Sequence, residues 1–259
     1  MRYPSLRSDS LSSMRNALRL LNLFTMDEPE LTLSEIAGKL EVGISTAFRL
    51  TSTLMHEDFL TKDSVSKKFR LGASILGYGN IIVSQNQLYK ASAVPVEKLA
   101  IATGESSHIA ILKENQTIYL NKIDSKHPVH LLSHAGKQNP VHCTSSGQVI
   151  LAYQSESLIE KVIEKGLSPY TKNTIISPVK FKELLITIRK QGYAMSIEEM
   201  HDNVSSIAAP IKNILGEVVG SISIAGPTSR VNSQTSSRLI KLVKNAALEV
   251  AEQLVFTRK

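Results

Sequence analysis

The segment Ile36-Ala37-Gly38-Lys39-Leu40-Glu41-Val42-Gly43-Ile44-Ser45-Thr46-Ala47-Phe48-Arg49-Leu50 decides the fold. Two short helices that cross steeply around a tight turn need a fixed order of residue types. Ile36 and Leu40 supply the buried face of the first helix. Ala37 lets the second helix approach closely, where a larger side chain would push the pair apart. Val42 plugs the turn, and Ala47 and Leu50 form the inner face of the second helix. The outward positions Ser45, Thr46, Phe48 and Arg49 are short-polar and basic near a helix start, which is where a recognition helix meets the major groove. Spacing alone leaves a plain helical hairpin open as the alternative, because such turns recur in unrelated folds.

The flanks favour the DNA reading. Upstream, Ala17, Leu18, Leu20, Leu21 and Phe24 recur at helical spacing over 13–25, and Pro29 closes that segment. Thr32-Leu33-Ser34-Glu35 is a capping box that opens the next helix. Downstream, Phe59-Leu60-Thr61-Lys62 and Lys67-Lys68-Phe69-Arg70-Leu71 flank the turn Asp63-Ser64-Val65-Ser66 and predict a β-hairpin with Phe69 and Leu71 on one face. Its outer positions Lys62, Lys67, Lys68 and Arg70 set four cations against Asp63. A charge run by itself is a solvated face. Coupled to the helix pair, it reads as a wing that tracks phosphates or a minor groove.

On Ser45-Thr46-Ala47-Phe48-Arg49-Leu50, Leu54 and Phe69-Arg70-Leu71-Gly72, the first 72 residues resemble the winged helix-turn-helix of the isocitrate lyase regulator (IclR) family of bacterial transcription factors. Two positions depart from the family pattern: Glu41 stands at a turn position usually filled by Gly, and Asp58 replaces the usual Gly before the wing. If both backbones keep positive φ, Glu41 carries strain of about 1 kcal/mol. Otherwise Gly43 absorbs the bend.

Residues 73–88 hold Ile75, Leu76, Tyr78, Ile81, Ile82 and Val83 with few charges and predict a linker helix that must bury an apolar face. Gly77-Tyr78-Gly79 is no dinucleotide loop, since Ile82 occupies the third glycine position. The resemblance implies that this helix helps form a dimer, with pairing of dimers a further option.

The second domain is expected over 89–259. Its pattern predicts a helix over 91–103 with Pro95 near its start, then strands over 107–112, 117–123 and 129–133. Helices follow over 146–153, 156–165 and 181–191, strands over 193–197, 204–209 and 218–225, and a long amphipathic helix over 232–256. Strands in consecutive groups with helices beside them give an α+β class with a mainly antiparallel sheet. The run Gly192, Ser196, Glu199, Ser206, Ile207, Ala208, Ile211, Asn213 resembles the same family's GAF-like effector domain, with Lys212 departing where an aromatic or His is usual.

That resemblance implies a small-molecule site at Cys143-Thr144-Ser145-Ser146-Gly147 with Ser196, Ser206 and Ser223. Backbone N–H groups where a loop enters a helix suit an anion, and hydroxyls add uncharged donors, so a small organic acid is the expected ligand. Ser196 and Ala225 stand where relatives carry other polar groups, so the ligand is expected to differ from theirs. The alternative is that these serines only satisfy strand and turn hydrogen bonds.

Composition sets the remaining limits. The 259 residues are 42% apolar and 20% charged with a net charge of +7, as in ordinary globular proteins. The first 72 residues are almost neutral, so bulk charge does not select them as a nucleic-acid binder. No run approaches the roughly 20 apolar residues of a membrane span, the opening residues carry no signal-peptide pattern, and the lone Cys143 suits a reducing cytoplasm. His127, His130, His134, His142 and Cys143 cluster in sequence without zinc-site spacing, so no metal and no cofactor are expected. There is no nucleophile elbow, and Glu198 and Glu199 are read as adjacent strand residues facing opposite ways, which argues against an enzyme. The expectation is thus a cytoplasmic, ligand-controlled dimeric repressor on double-stranded operator DNA. A ligand-binding protein with a degenerate helix-turn-helix is the alternative.

Overall fold

The computed structural model describes residues 12–125 and 133–256, and the chain divides into two units, residues 1–85 and 86–259. In the first unit, helix α1 (Ser12–Leu21) is followed by α2 (Leu33–Leu40) and α3 (Ile44–His56), then by a hairpin of β1 (Leu60–Lys62) and β2 (Phe69–Leu71). Helix α4 (Ser74–Gln85) ends the unit. The capping box forms: Thr32 Oγ1 accepts the Glu35 N–H at 3.3 Å and Glu35 Oε2 accepts the Thr32 N–H at 2.7 Å. Leu20, Ile36, Ala37, Leu40, Ala47, Leu50, Leu54, Leu60 and Phe69 close one core, with Val42 half-buried against it. Phe69 is buried, but Leu71, expected on the same face, is exposed.

Both family departures keep the left-handed backbone. Glu41 has φ 59° and ψ 43° at the end of α2, and Asp58 has φ 58°. The N–H groups of Glu41 and Val42 reach back to Gly38 O and Ala37 O, each at 3.1 Å, as in a glycine-terminated helix. Gly43 is extended (φ −65°, ψ 150°) and does not absorb the bend. Beside Asp58, Gly72 is required, because a Cβ there would lie 2.0 Å from Asp58 O.

In the second unit, α5 (Gln87–Thr103) leads into β3 (Ser106–Lys113) and β4 (Gln116–Ile123). After the undescribed stretch come β5 (Gln138–Pro140), a short 3-10 turn (Val141–Cys143), α6 (Ser145–Leu151), α7 (Glu156–Glu164) and α8 (Pro178–Gln191). Strands β6 (Ala194–Ile197), β7 (Val204–Lys212) and β8 (Val218–Pro227) and helix α9 (Ser233–Phe256) complete the unit. The sheet order is β5-β4-β3-β8-β7-β6 with antiparallel pairing throughout, so the α+β expectation holds.

Strand alternation divides this sheet between two cores. Ile109, Ile207, Ala209, Ile222 and Ile224 face α5 and α9, packing on Val96, Leu99, Leu239, Val243 and Val250. Ala194 and Ala208 face the other way, onto Val149, Leu151, Phe181 and Leu185 of α6 and α8. Ser206, Ser221, Ser223 and Ala225 share that second face by the same alternation, and it is there that a cavity lies.

Several boundaries differ from expectation. Asn86 caps α5, its Oδ1 accepting the Tyr89 N–H at 2.9 Å, so the helix starts before Ala91 and Pro95 lies inside it. Ser177 caps α8 with Pro178 in its first turn, ahead of the expected start at Phe181. Strand β5 was not anticipated. The expected strand over 129–133 lies outside the described residues except for Ser133, as do His127 and His130. Glu198 and Glu199 are not strand residues: β6 stops at Ile197 and Glu198 turns at φ 55°.

Candidate functional site

The candidate residues form two surfaces, one in each unit. In the first, the buried stripe of α3 (Ala47, Leu50, Thr51, Leu54) leaves Ser45, Thr46, Phe48 and Arg49 exposed on the opposite side. Phe48 is 56% exposed. The hairpin tip is built by Asp63, whose Oδ1 accepts the N–H groups of Val65 and Ser66 at 3.0 and 2.6 Å. The Ser66 N–H is the main reason that the Asp63 carboxyl titrates below the usual range.

The four expected wing cations are not equivalent. Lys67 projects from a left-handed position (φ 59°) at the tip. Lys68 is half-buried beside it. Lys62 Nζ lies 5.0 Å from the Phe69 ring centroid. Arg70 is held by two carboxylates, Glu30 at 3.1 Å and Asp63 at 3.4 Å, so its charge is largely compensated within the protein.

The second surface is a cavity of about 60 Å³ in the C-terminal unit. Its floor is a row of small residues set by strand register. Ser196 of β6 pairs with Ser206 of β7, which pairs with Ala225 of β8. Ser223 of β8 lies between Ala208 and His108 of β3. Tyr119 and Asn139 line one side, and Met200 and His201 line another. The segment from Cys143 to Ser146 covers it.

Of the residues expected there, Cys143, Thr144, Ser145, Ser146, Ser196, Ser206 and Ser223 line the cavity; Gly147 does not. Gly147 instead brings α6 onto the sheet, since a Cβ would lie 2.4 Å from Val141 O and 2.6 Å from Thr117 Oγ1. Its N–H is already taken by Thr144 Oγ1 at 3.2 Å. The cavity serines bond across the roof and floor: Ser145 Oγ to Ser206 Oγ at 2.8 Å, Ser146 Oγ to Ser223 Oγ at 2.8 Å, and Ser196 Oγ to Cys143 O at 3.4 Å. Each hydroxyl pair spends one of its two protons, leaving one for a further acceptor.

Among the described residues, no Asp, Glu, Lys or Arg lines this cavity. Burial, with Lys122 nearby, lowers the His108 pKa to about 3, so the imidazole is neutral and bonds Ser133 Oγ at 2.9 Å. Burial pushes the Tyr119 phenol up and leaves it a donor. Burial, reinforced by Glu199, pushes the Cys143 thiol to about 12, which removes it as a nucleophile at neutral pH. Among the described residues, no three His, Cys, Asp or Glu side chains come together to hold a metal, and no helix is long and apolar enough to cross a membrane.

Both units match one family. The model of the bacterial transcriptional regulator IclR C-terminal domain matches residues 81–252, and that of the IclR helix-turn-helix domain matches residues 13–64. The chain belongs to the IclR family of bacterial transcriptional regulators. It is 29% identical over 247 residues to the glycerol operon regulatory protein of Streptomyces coelicolor, covering 95% of this chain and 97% of that one. An IclR transcriptional regulator from Alicyclobacillus acidocaldarius superposes with a TM-score of 0.82 at 29% identity, over 93% of this chain and 98% of the other. An IclR homolog from Microbacterium hydrocarbonoxydans, crystallised with 4-hydroxybenzoate, shares the fold with a TM-score of 0.84 at 22% identity, over 95% and 100% of the two chains.

The protein is accordingly a helix-turn-helix transcription regulator of the IclR type, not an enzyme, and the degenerate-motif alternative is not favoured. Sequence reasoning missed the cavity residues His108, Tyr119, Asn139, Met200 and His201. For His108 and Tyr119 a signal existed: each breaks an apolar strand pattern on the face that carries Ser223. Met200 and His201 come from a turn, where no periodicity points to a wall.

Proposed function

We propose that this IclR-type regulator is a one-component repressor acting as a dimer, with residues 1–72 binding operator DNA, 73–88 linking, and 89–259 binding effector. The observation that carries the DNA reading is the split of α3 into a buried Ala47-Leu50-Leu54 stripe and an exposed Ser45-Thr46-Phe48-Arg49 face. Ser45, Thr46, Phe48 and Arg49 contact base edges, and Lys62, Lys67, Lys68 and Arg70 follow phosphates. A single short recognition helix reads too few base pairs for an operator, which favours two copies. Helix α4 supports that pairing, with Leu76 70% and Ile82 65% exposed on an apolar helix that buries no residue. Repression rather than activation follows the family's usual habit, and the cytoplasm follows from the DNA target.

The effector is a small organic acid. The cavity is small, free of charged carboxylates, and offers spare protons from the Ser145–Ser206 and Ser146–Ser223 pairs and from Tyr119. Oxygen acceptors fit those donors, a cation meets no carboxylate among the described lining residues, and with no Lys or Arg among them an acid is held by hydroxyl donors alone. Effector binding shifts the spacing of the two winged domains through α4, and only a ligand with different affinities for the two arrangements can do so. Calorimetry of the full chain against small hydroxy and keto acids and their matching amides tests this. Binding of an acid with loss of affinity in Ser223→Val is expected. Equal binding of acids and amides overturns the ligand class.

A further inference from the structure

Glu199 is buried but does not line the cavity, and among the described residues no ion pair holds it. Its Oε2 accepts Gln148 Nε2 at 2.8 Å, and the same nitrogen donates to His142 O at 2.8 Å. Gln148 Oε1 is buried without a hydrogen-bond partner, so the amide brings a dipole but no further donor. The carboxyl also contacts the Ser196 hydroxyl. Ser196 Oγ also donates to Cys143 O at 3.4 Å, so the same hydroxyl is shared with the 3-10 turn. Among the described residues the carboxyl thus has one side-chain donor at bonding distance, Gln148, and no cation beside it.

We infer that Glu199 is a positioning residue for the effector cavity: seated as a neutral carboxylic acid between Gln148 and Ser196, it ties the turn that carries Met200 and His201 to helix α6, which carries Ser145 and Ser146. From α6 comes the Gln148 amide, and from β6 the Ser196 hydroxyl. From the 3-10 turn come the Cys143 thiol, held protonated, and His142, whose imidazole is lowered by burial and bonds Ser168 O at 3.0 Å. From the preceding loop, Thr174 donates to Glu199 O at 2.7 Å and Thr171 to Glu198 O at 2.5 Å, while Asn173 Nδ2 meets the Glu198 carboxylate at 3.4 Å. None of these is a cation that would favour the charged form. Burial raises the Glu199 pKa to about 7 in spite of the two side-chain hydrogen bonds.

The consequence is a proton-linked wall. Lifting the turn hydrates Glu199 and returns it toward its ordinary value of 4.5. Opening thus becomes easier by up to about tenfold per pH unit between about pH 5 and about pH 7, then levels off. The inference rests on the cavity being the effector site, but it can be read without any effector. Cys143 is the single cysteine of the chain, is buried, and its Sγ lies 3.3 Å from Met200 Sδ, so its reaction rate reports the lifting of this wall.

The experiment measures labelling of Cys143 by 2,2′-dithiodipyridine in the full chain from about pH 5 to about pH 8, for wild type, Glu199→Gln and Glu199→Ala. The ratio of wild type to Glu199→Gln cancels the thiolate fraction. It is expected to rise by about fortyfold between about pH 5 and about pH 7 and to level off by about pH 8. Glu199→Ala is expected to label fast at every pH, with the neutral glutamine restoring protection. A ratio independent of pH overturns the inference, as does Glu199→Gln labelling as fast as Glu199→Ala. Should the alanine variant not fold, the first ratio still decides. Failure of every organic acid to bind would sink the effector reading instead, without touching this result.

Discussion

The hydroxyls of Ser146 and Ser223 meet at 2.8 Å, joining the first turn of α6 to the middle of β8 across the candidate cavity. Removing one partner leaves the other buried and unpaired, which costs about 1–3 kcal/mol, while removing both is milder. Ser146→Ala and Ser223→Ala should each destabilise the chain by about that amount, and the double variant by less than their sum. Urea denaturation around the double-mutant cycle checks this. Strict additivity would mean that the two hydroxyls are not coupled.

Glu41 holds φ 59° at a turn where glycine would be at ease. Glu41→Gly should stabilise the chain by about 0.5–1 kcal/mol in chemical denaturation, relief of strain outweighing the extra chain entropy of glycine. Gly72→Ala should destabilise it by more, because the new methyl meets Asp58 O at 2.0 Å. A destabilised Glu41→Gly would place the tolerance of this turn elsewhere.

Arg70 is paired with Glu30 and Asp63, whereas Lys67 has no ion pair among the described residues. Removing a cation that already has protein partners releases fewer counterions from DNA. Lys67→Ala should therefore lower the slope of log affinity against log salt by about 1, and Arg70→Ala by clearly less. Binding titrations at several salt concentrations read both slopes, and equal reductions would count against the internal pairing of Arg70 in the complex.

Two buried groups give stability a pH dependence of opposite sign. His108 is lowered to about 3 from 6.5, so its contribution is complete above about pH 6.5 and lost as pH falls toward 3. Glu199 is raised to about 7 from 4.5, so its contribution is complete below about pH 4.5 and lost as pH rises through 7. Relative to wild type, Glu199→Gln should be progressively more stable from about pH 4.5 to about pH 7.5, reaching a few kcal/mol. Thermal unfolding across that range is the check, and a difference that does not change with pH would show that Glu199 does not titrate between folded and unfolded states.

Much of this molecule was legible because its elements carry local signals. Thr32 and Glu35 announce α2, the small Ala37 and Ala47 announce a close helix crossing, and alternation over β7 and β8 separates Ile207 and Ile222 from Ser206 and Ser223. What stayed hidden depends on contacts distant in sequence. The compensation of Arg70 by Glu30 and the burial of Glu199 against Gln148 have no periodic trace. The same holds for Gly147, whose Ser-rich setting suggests a ligand loop although its missing side chain serves packing against Val141 and Thr117.

The central claim is that α3 presents Ser45, Thr46 and Arg49 to base edges. Fluorescence anisotropy of the full chain on the DNA upstream of its own coding sequence, against shuffled DNA of equal length, tests it most directly, with wild type and Arg49→Ala side by side. The account predicts wild-type preference for the upstream DNA by at least about a thousandfold. In Arg49→Ala that preference is expected to fall by about 5- to 150-fold, about 1–3 kcal/mol, with binding to shuffled DNA little changed. Equal affinity of the wild type for both DNAs, or an Arg49→Ala variant that keeps full preference, would contradict it.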